Sequence, residues 1–445
     1  MRYNYYDRKN IVVSLLLCII STLLFRYLSY RGGLIATIIV GIYFFAINET
    51  DRYILLLMFL PFAAIFKIGE SLPSSMIFLY LIIIISEAIK RRLNSKALFL
   101  LILIVIKETF SVIIFNASVV SVISLIINLL SSGIIISQIV SIPETMRRSV
   151  IDSAAIGFSL SMIADIILSI VFPNLTYMIS YRKATALADQ NRFCALNADP
   201  NYYSQLVLVS IALLIAYNHR NKDKSIINRV YNVLAIGFLA YYGYISYSKS
   251  YIIAASLLLA IVVASFYFQK KVNTYKLIIG AFLLFLVAFG AGRFYDNVVL
   301  RVFQLRQNSA GLLTGRDVIW NEYLSLFYEK PLTWILGMGA SNGMQIIQSG
   351  AAAHNAYIEV LGDLGIIGII LVLMYYYSNG IRYRIRLFDL NYLFIILFLV
   401  TAASLSLSSY DAVYMIIPLI GCVNIGKDTQ GYESNMEENL KERYN

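Results

Sequence analysis

Long runs of apolar residues, joined by shorter polar connections, fill most of the chain. A bilayer core about 30 Å thick is crossed by a helix of roughly 20 apolar residues. The runs are continuous and do not alternate at every second position, so they predict helices and not the strands of a membrane barrel. Fourteen candidate spans are predicted, at residues 11–26, 33–47, 53–66, 74–89, 97–115, 118–140, 150–172, 204–217, 230–246, 250–268, 274–291, 355–377, 391–406 and 411–426.

Composition supports the same class of protein. Hydrophobic residues make up 59% of the chain and charged residues 14%, and the mean hydropathy is +0.73. A soluble protein carries roughly a quarter charged residues. We therefore predict an all-α, polytopic integral membrane protein with roughly 12–14 transmembrane helices. The three cysteines form no CxxC pair or Cys/His cluster, so neither a disulfide framework nor a zinc site is indicated.

The net charge of +11 is explained by topology. Lysine and arginine accumulate on cytoplasmic loops, and with the N-terminus inside, the basic clusters all fall on the cytoplasmic side. These clusters are Lys90, Arg91, Arg92 and Lys96; Arg147 and Arg148; Arg220, Lys222, Lys224 and Arg229; Lys270 and Lys271; and Arg382, Arg384 and Arg386. This placement disfavours a nucleic-acid partner.

The same pattern divides the chain into four parts. We expect a transmembrane bundle of about eleven spans at 1–291, with an outer loop at 173–203. A large extracytoplasmic loop follows at 292–354, then C-terminal transmembrane helices at 355–426 and a disordered cytoplasmic tail at 427–445.

The two predicted outer loops carry basic residues that topology does not require. They are Arg182, Lys183 and Arg192 in the first loop, and Arg293, Arg301, Arg306, Arg316 and Lys330 in the second. Each one alone could be a solvated loop charge. Because a planar guanidinium binds phosphate through two parallel hydrogen bonds, the set as a whole favours an anionic ligand at the outer membrane surface.

The large outer loop contains a predicted amphipathic helix. In "TGRDVIWNEYLSLFYEKP", Ile319, Tyr323, Leu326 and Phe327 recur at helical spacing, with Thr314 as a possible N-cap and Pro331 as the end. The glycine-rich "LGMGASNG" that follows could let the backbone approach a ligand. It is not a phosphate-binding Walker loop, because no Gly-Lys-Ser/Thr follows.

One of the two histidines, His354, stands where this loop meets an apolar helix. One interpretation is structural: a polar helix entrance capped by Asn355, with Gly362, Gly365 and Gly368 allowing close packing. Glu359 and Asp363, four residues apart on one helix face, favour an orienting or packing role. The alternative is that they are acidic partners of His354 or of an arginine.

These residues resemble the signature of the O-antigen polymerase and ligase superfamily. That signature is His, then Asn, Ser or Gln, nine residues, Gly, two residues and a small residue. The resemblance covers roughly residues 180–425. The matching positions are His354, Asn355, Gly365 and Gly368; Arg301 and Leu305; Gly315, Arg316, Trp320, Pro331, Gly337 and Gly339; and Arg192, Pro200 and Asn201.

The resemblance implies a helical glycosyltransferase of the GT-C-like type. Such enzymes act at the outer face of the bacterial cytoplasmic membrane and move a glycan from a polyprenyl pyrophosphate to an acceptor sugar. They use no nucleotide sugar, essential metal or other cofactor. The resemblance makes His354, Arg316 and Arg301 candidate catalytic residues. Candidate substrate-binding residues are Arg192, Arg306, Asn355, Glu359 and Tyr357, whose ring could stack on a sugar.

These chemical types suit the reaction. Arginines stabilise the charge that develops on a departing pyrophosphate, and a histidine that titrates near neutral pH is a suitable base for the acceptor hydroxyl. The interpretation is a Wzy-type polymerase that joins undecaprenyl-pyrophosphate-linked repeat units within the bilayer, with a chain-length regulator as a further partner. One alternative is a ligase that transfers the finished glycan to a separate acceptor.

An alternative of another class is a lipid-linked oligosaccharide flippase or transporter. Lys107, Glu108 and Asp165 fall inside predicted spans, where charged residues usually mark function. Transporters are often built from two related halves and contain discontinuous helices. The sequence shows no internal repeat.

Overall fold

The computed structural model describes residues 8–66, 76–89, 94–179, 192–197, 199–221, 226–268, 316–347, 349–350, 353–381 and 390–402. Within these ranges every regular element is a helix, which confirms the all-α prediction. Several sequence predictions lie outside the described residues: the spans at 274–291 and 411–426, the disordered tail at 427–445, the cluster Arg382–Arg386, and the two candidate residues Arg301 and Arg306.

The helices run in chain order from α1 to α15. They are α1 (Arg8–Ala46), α2 (Glu49–Phe59), α3 (Met76–Ile89), α4 (Ser95–Phe115), α5 (Val119–Ser141), α6 (Glu144–Val171), α7 (Asn174–Ile179), α8 (Pro200–Arg220), α9 (Ile226–Tyr244), α10 (Lys249–Phe268), α11 (Arg316–Glu329), α12 (Leu332–Leu336), α13 (Gly343–Ile346), α14 (Ala356–Ser378) and α15 (Leu393–Ala402). Short 3-10 turns occupy Leu60–Phe62 and Leu390–Tyr392.

Six segments of the described chain are long and apolar enough to cross a bilayer. They are Lys9–Ala46, Ser95–Phe115, Val119–Ser141, Met146–Val171, Pro200–Arg220 and Ala356–Ser378. Shorter apolar helices accompany them at Ile77–Ala88, Ser250–Ser265 and Leu393–Ala402. The protein is therefore a multi-pass membrane protein.

The first of these segments, α1, is a helical hairpin. Ser29 has φ 50° and ψ −133°, which interrupts the helix. The Tyr43 hydroxyl donates to Asn10 Oδ1 at 3.2 Å, so the two arms run antiparallel. The arms correspond to the spans predicted at 11–26 and 33–47.

The apolar run predicted as a span at 53–66 takes a different form. It builds α2, of 11 residues, followed by the 3-10 turn that contains Pro61. Tyr53, Leu56 and Phe59 are at most 1% exposed, so this helix is buried among its neighbours. A helix of 11 residues is about 16 Å long, too short to cross the bilayer core.

Two apolar cores organise the bundle. The larger one joins α1, α2, α3, α5, α6, α8, α9, α10 and α15, and α8 is buried along almost its whole length. The second joins α4, α5 and α14. A third, smaller cluster lies under α11 and includes Tyr323, Phe327, Met338, Ile347 and Ala353.

Helices α4 and α14 run antiparallel and define the two ends of the bundle. At one end Asn94 Nδ2 donates to the carbonyl oxygen of Ser378 at 2.9 Å. Towards the other end Lys107 Nζ lies 3.3 Å from the carbonyl oxygen of Asp363. We call the end where α14 begins the site end and the other the opposite end. At the opposite end Arg220 Nη2 lies 2.7 Å from Asp152 Oδ1, which ties the end of α8 to the start of α6.

Candidate functional site

The helix predicted in the large outer loop is present as α11, which confirms that part of the sequence analysis. Tyr323 and Phe327 are buried on its inner face. Burial raises the pKa of the Tyr323 phenol, and the nearby carboxylates of Asp363 and Glu359 raise it further. Tyr323 therefore stays protonated at neutral pH and packs against α14 at Gly362. This contact seats α11 on the first turns of α14.

His354 adopts a left-handed backbone conformation, with φ 49°. Such a conformation costs a residue other than glycine of order 1–3 kcal/mol, and it persists where surrounding contacts enforce it. Two contacts do so here. The His354 N–H donates to Glu359 Oε1 at 3.1 Å, and Trp320 Nε1 donates to the carbonyl oxygen of Ala353 at 2.8 Å.

Asn355 caps α14. Its Oδ1 accepts from the backbone N–H groups of Tyr357 and Ile358, at 3.1 and 3.4 Å. The structural interpretation of this polar helix entrance is therefore correct for Asn355. Tyr357, a candidate for stacking on a sugar, is half-exposed, and its hydroxyl donates to the carbonyl oxygen of Leu399 at 2.6 Å. That bond ties α14 to α15.

The two acidic residues of α14 are both buried. Glu359 receives the His354 backbone N–H, as described above. The Asp363 carboxylate receives the N–H groups of Ser341 and Gly343, at 2.8 and 3.3 Å. These contacts match the orienting role that the sequence favours for this pair.

The glycine-rich loop at 337–343 packs closely on α14. The sequence analysis had suggested that its glycines let the backbone approach a ligand. The N–H groups of Met338 and Gly339 donate to the carbonyl oxygens of Gly362 and Asp363, at 2.7 and 2.9 Å. A Cβ at Gly337, where φ is 73°, would collide with the backbone of α14 around Gly365. Glycine is needed here because backbone packs directly on backbone.

Lys107 and Glu108 hold the same loop from α4. Lys107 Nζ and Glu108 Oε1 form a buried ion pair at 2.6 Å. Glu108 Oε2 also accepts the backbone N–H of Ala340 at 3.1 Å. Together with the contact from Lys107 to the Asp363 carbonyl, these bonds attach α4 to both the loop and α14.

In the larger core, Asp165 binds a loop segment in the way that Glu108 binds the loop at 337–343. Its carboxylate, fully buried on α6, accepts from the Leu196 N–H at 3.1 Å and from Asn197 Nδ2 at 3.4 Å. It thereby fastens the segment 192–197 to the bundle. In that segment burial raises the pKa of Cys194 to about 12, so this thiol is protonated at neutral pH.

Arg192 lies near the start of α8, and Arg316 is within electrostatic reach of the same turn. Arg192 donates to the carbonyl oxygen of Ser246 at 3.0 Å and to Asn201 Oδ1 at 3.2 Å. Asp199 caps the helix by accepting the Asn201 N–H at 2.6 Å. Burial lowers the pKa of Arg316, and the Asp199 carboxylate opposes that shift, so Arg316 lies within electrostatic reach of Asp199. Arginine remains charged at neutral pH.

Helix α11 connects Arg316 to His354. Arg316 and Trp320 are four residues apart, and such residues are neighbours on one helix face. Trp320 in turn bonds to the residue before His354. The predicted residues Arg192, Arg316, His354, Asn355 and Glu359 are therefore brought to the site end of one bundle.

Sequence reasoning missed Asp199 and did not foresee the part that Trp320 plays. Asp199 had a usable signal, because an aspartate directly before a proline is typical of a helix start. Trp320 belongs to the family pattern, but no local feature indicates the residue that its indole N–H binds. In the described part of the chain, no three His, Cys, Asp or Glu residues are grouped as they would be to hold a metal ion.

A family comparison covers this region. Residues 233–373 match the family model described as O-antigen ligase. This match supports the resemblance to the O-antigen polymerase and ligase superfamily. The matched region contains Arg316, Trp320, His354 and the loop at 337–343, whereas Arg192 and Asp199 precede it. No curated protein matches the chain, and no solved structure matches it.

Proposed function

We propose that this protein transfers a glycan from undecaprenyl pyrophosphate to the terminal sugar of a second lipid-linked repeat unit, as a Wzy-type polymerase. The observation that carries the proposal is the connection through α11. One face of this helix bears Arg316, which is within electrostatic reach of Asp199, and Trp320, which binds the residue before His354. This helix therefore carries the phosphate-binding group of the proposal and, through Trp320, contacts the residue before the proposed proton acceptor.

The chemistry assigns a part to each group. The acceptor hydroxyl attacks the anomeric carbon of the donor, the bond from that carbon to the pyrophosphate oxygen breaks, and polyprenyl pyrophosphate leaves. His354 accepts the hydroxyl proton. Arg192 and Arg316 neutralise the departing phosphates, a part that the family resemblance also gives to Arg301. We assign this neutralisation to guanidinium groups and not to a metal ion.

The partial burial of Arg316 supports this assignment. Removing a guanidinium from water costs free energy, and a phosphate that binds through two parallel hydrogen bonds compensates for that cost. The same burial lowers the pKa of Arg316, which supports partial desolvation of the group. A desolvated arginine near a helix start is a suitable binding site for a multiply charged phosphate.

The remaining candidates have supporting parts in this scheme. Asn355 and Glu359 fix the turn that carries His354, and the half-exposed Tyr357 is the candidate for stacking against a sugar. Arg306 belongs to the same proposal through its position in the outer loop. A chain-length regulator is the partner that would set the length of the product.

The second candidate function is that of a ligase, which the description of the matching family favours. The transporter alternative receives less support. Lys107, Glu108 and Asp165 bind backbone N–H and C=O groups of the site-end loops and of α14. The interruption of α14 at Gly365 is filled by protein backbone from Ile335–Gly337.

Reconstitution of the purified protein with lipid-linked repeat units tests the reaction. A ladder of products identifies a polymerase, and a single transfer to a separate acceptor identifies a ligase. Absence of any covalent change would remove both enzymatic proposals.

The proposal also places the site end outside the cytoplasmic membrane. In a background with Cys18, Cys194 and Cys422 replaced, an impermeant maleimide added to intact cells should label Ser349→Cys at the site end. It should not label Ser95→Cys at the opposite end. Both positions are exposed in the structure, so the reverse pattern would reject this orientation.

A further inference from the structure

The short helix α12 contacts α14 at Gly365, well after the first turns of α14. A Cβ at Gly365 would collide with Gly337 N, Ile335 O and Leu336 C, so the end of α12 lies directly against this residue. Gly365 itself has φ 64° and ψ 177°, a conformation that opens α14 to its neighbour. Nine residues separate Gly365 from Ala356, a distance of about 13 Å along a helix. The contact is therefore well inside a segment long enough to cross a membrane.

Irregular backbone at such a depth requires partners within the protein, because bilayer lipid offers none. The loop after α12 has these partners. Glu108, on the membrane-crossing helix α4, receives the Ala340 N–H, and Asp363 receives those of Ser341 and Gly343. The polar groups that a loop in water would leave to solvent are here bound by buried carboxylates.

The outward side of α12 is apolar. Leu332 is 54% exposed, Trp334 40% and Ile335 46%. One side of the Trp334 ring packs on Phe327, with the ring centroids 5.2 Å apart, so the ring has a fixed orientation. Soluble surfaces rarely gather large apolar side chains in this way.

This apolar face continues onto the membrane-crossing surface of α14. Exposed residues that follow directly after the contact at Gly365 are Ile366, Ile367 and Ile370. Lipid that surrounds the second half of α14 would also reach α12, because the two apolar surfaces adjoin. We therefore take lipid to be what covers α12.

We propose that residues 332–343 form a re-entrant segment in the leaflet at the site end, and that α12 presents Leu332, Trp334 and Ile335 to the acyl chains of the bilayer. Within this segment, α12 lies between the lipid and the loop at 337–343, which packs on α14. A lipid-borne substrate would then meet the protein beside α12. The inference concerns lipid contact alone and stands independently of the proposed reaction.

Trp320 and Trp334 are the two tryptophans of the chain, which makes fluorescence quenching a direct test. The full-length W320F variant in liposomes reports on Trp334, and the matched W334F variant reports on Trp320. With phosphatidylcholine brominated on its acyl chains, Trp334 should lose most of its emission and Trp320 much less. Quenching of Trp334 by aqueous iodide but not by brominated lipid would overturn the proposal, as would equal quenching of the two tryptophans by the lipid.

A second measurement covers the case in which W320F does not fold. A nitroxide on Ile335→Cys, in a background with Cys18, Cys194 and Cys422 replaced, should collide more often with oxygen, which partitions into lipid, than with a water-soluble nickel complex. A nitroxide on Ser349→Cys should show the opposite preference. Preferential collision of the nickel complex at position 335 would place α12 in water and reject the re-entrant segment.

Discussion

The indole nitrogen of Trp320 lies 2.8 Å from the carbonyl oxygen of Ala353 and donates a hydrogen bond to it. This bond fixes the peptide that precedes His354, whose own N–H is held by Glu359. Because Trp320 is on α11 with Arg316, a displacement of that helix would shift both the arginine and the histidine.

Replacing Trp320 with phenylalanine should lower kcat and leave KM nearly unchanged, because the ring still packs while the N–H donor is lost. The lost bond is worth about 0.5–1.5 kcal/mol, so a fall in kcat of up to about tenfold is expected. Trp334→Phe keeps an aromatic ring on α12 and should retain kcat. Equal effects of the two substitutions on kcat would argue against a positioning role for Trp320.

The His354→Asn variant separates catalysis from backbone strain. Asparagine tolerates the left-handed conformation of residue 354 but is no base at neutral pH. Glycan transfer should fall by about 100- to 10,000-fold, while the protein accumulates in the membrane at its usual level. His219→Asn at the opposite end is the control and should transfer at the normal rate. A near-normal rate for His354→Asn would leave only a structural role for His354.

Arginine-to-lysine substitutions should weaken the site although they keep the charge. Arg192→Lys and Arg316→Lys lose the planar fork that binds phosphate through two bonds, at a cost of about 1.5–3 kcal/mol per bond to a charged group. Transfer should fall by about tenfold to a hundredfold. Arg229→Lys, an exposed position at the opposite end, is the matched control. Full activity in both site variants would rule out bidentate phosphate binding by these arginines.

The ion pair between Lys107 and Glu108 should behave as a structural unit. Glu108→Gln keeps an acceptor for the Ala340 N–H but leaves the Lys107 charge buried without its partner, which costs about 3–5 kcal/mol. The double variant Lys107→Met with Glu108→Gln should recover much of that loss. Thermal unfolding in detergent measures all three proteins. A double variant that is less stable than Glu108→Gln would contradict this explanation.

The contact between α12 and α14 predicts opposite effects at two glycines. Gly365→Ala places a Cβ against backbone and forces alanine into a left-handed conformation, so we expect a loss of at least about 2 kcal/mol in the free energy of unfolding. A Cβ at Gly237, on α9, has nothing within 4 Å, so Gly237→Ala should gain about 0.5–1 kcal/mol. The comparison fails if both variants unfold at the same temperature.

Features with a local cause were predictable from the sequence. The periodic apolar residues of α11 and the capping side chain of Asn355 depend on neighbours within a few positions, and the structure contains both. The two arms of α1 were also predicted, since each is an apolar run of its own. The grouping of Arg192 with Arg316 at one phosphate site was expected only from the arginines of the outer loops and from the family resemblance, and it stays a prediction.

Features with a distant cause were not predictable. Glu108 and Ala340 are separated by 232 positions, and nothing near either residue indicates the other. The charges of Lys107 and Asp165 suited a transporter equally well, because an intramembrane charge does not reveal which group it binds. The mistaken span at 53–66 has a similar origin, since an apolar run alone does not distinguish burial in lipid from burial in protein.

The contact between Lys107 and the Asp363 carbonyl has a consequence for synthesis, because 256 positions separate the two residues. At about 5–20 residues per second, the ribosome needs about 13 to 50 s after it makes Lys107 before it makes Asp363. During that interval neither the loop nor α14 is present to contact α4. The Lys107–Glu108 ion pair then lies in the bilayer without the Asp363 carbonyl and the Ala340 N–H as partners. The site end of the bundle is therefore assembled late in translation, and α4 would need a membrane insertion factor that shields polar helices until α14 is made.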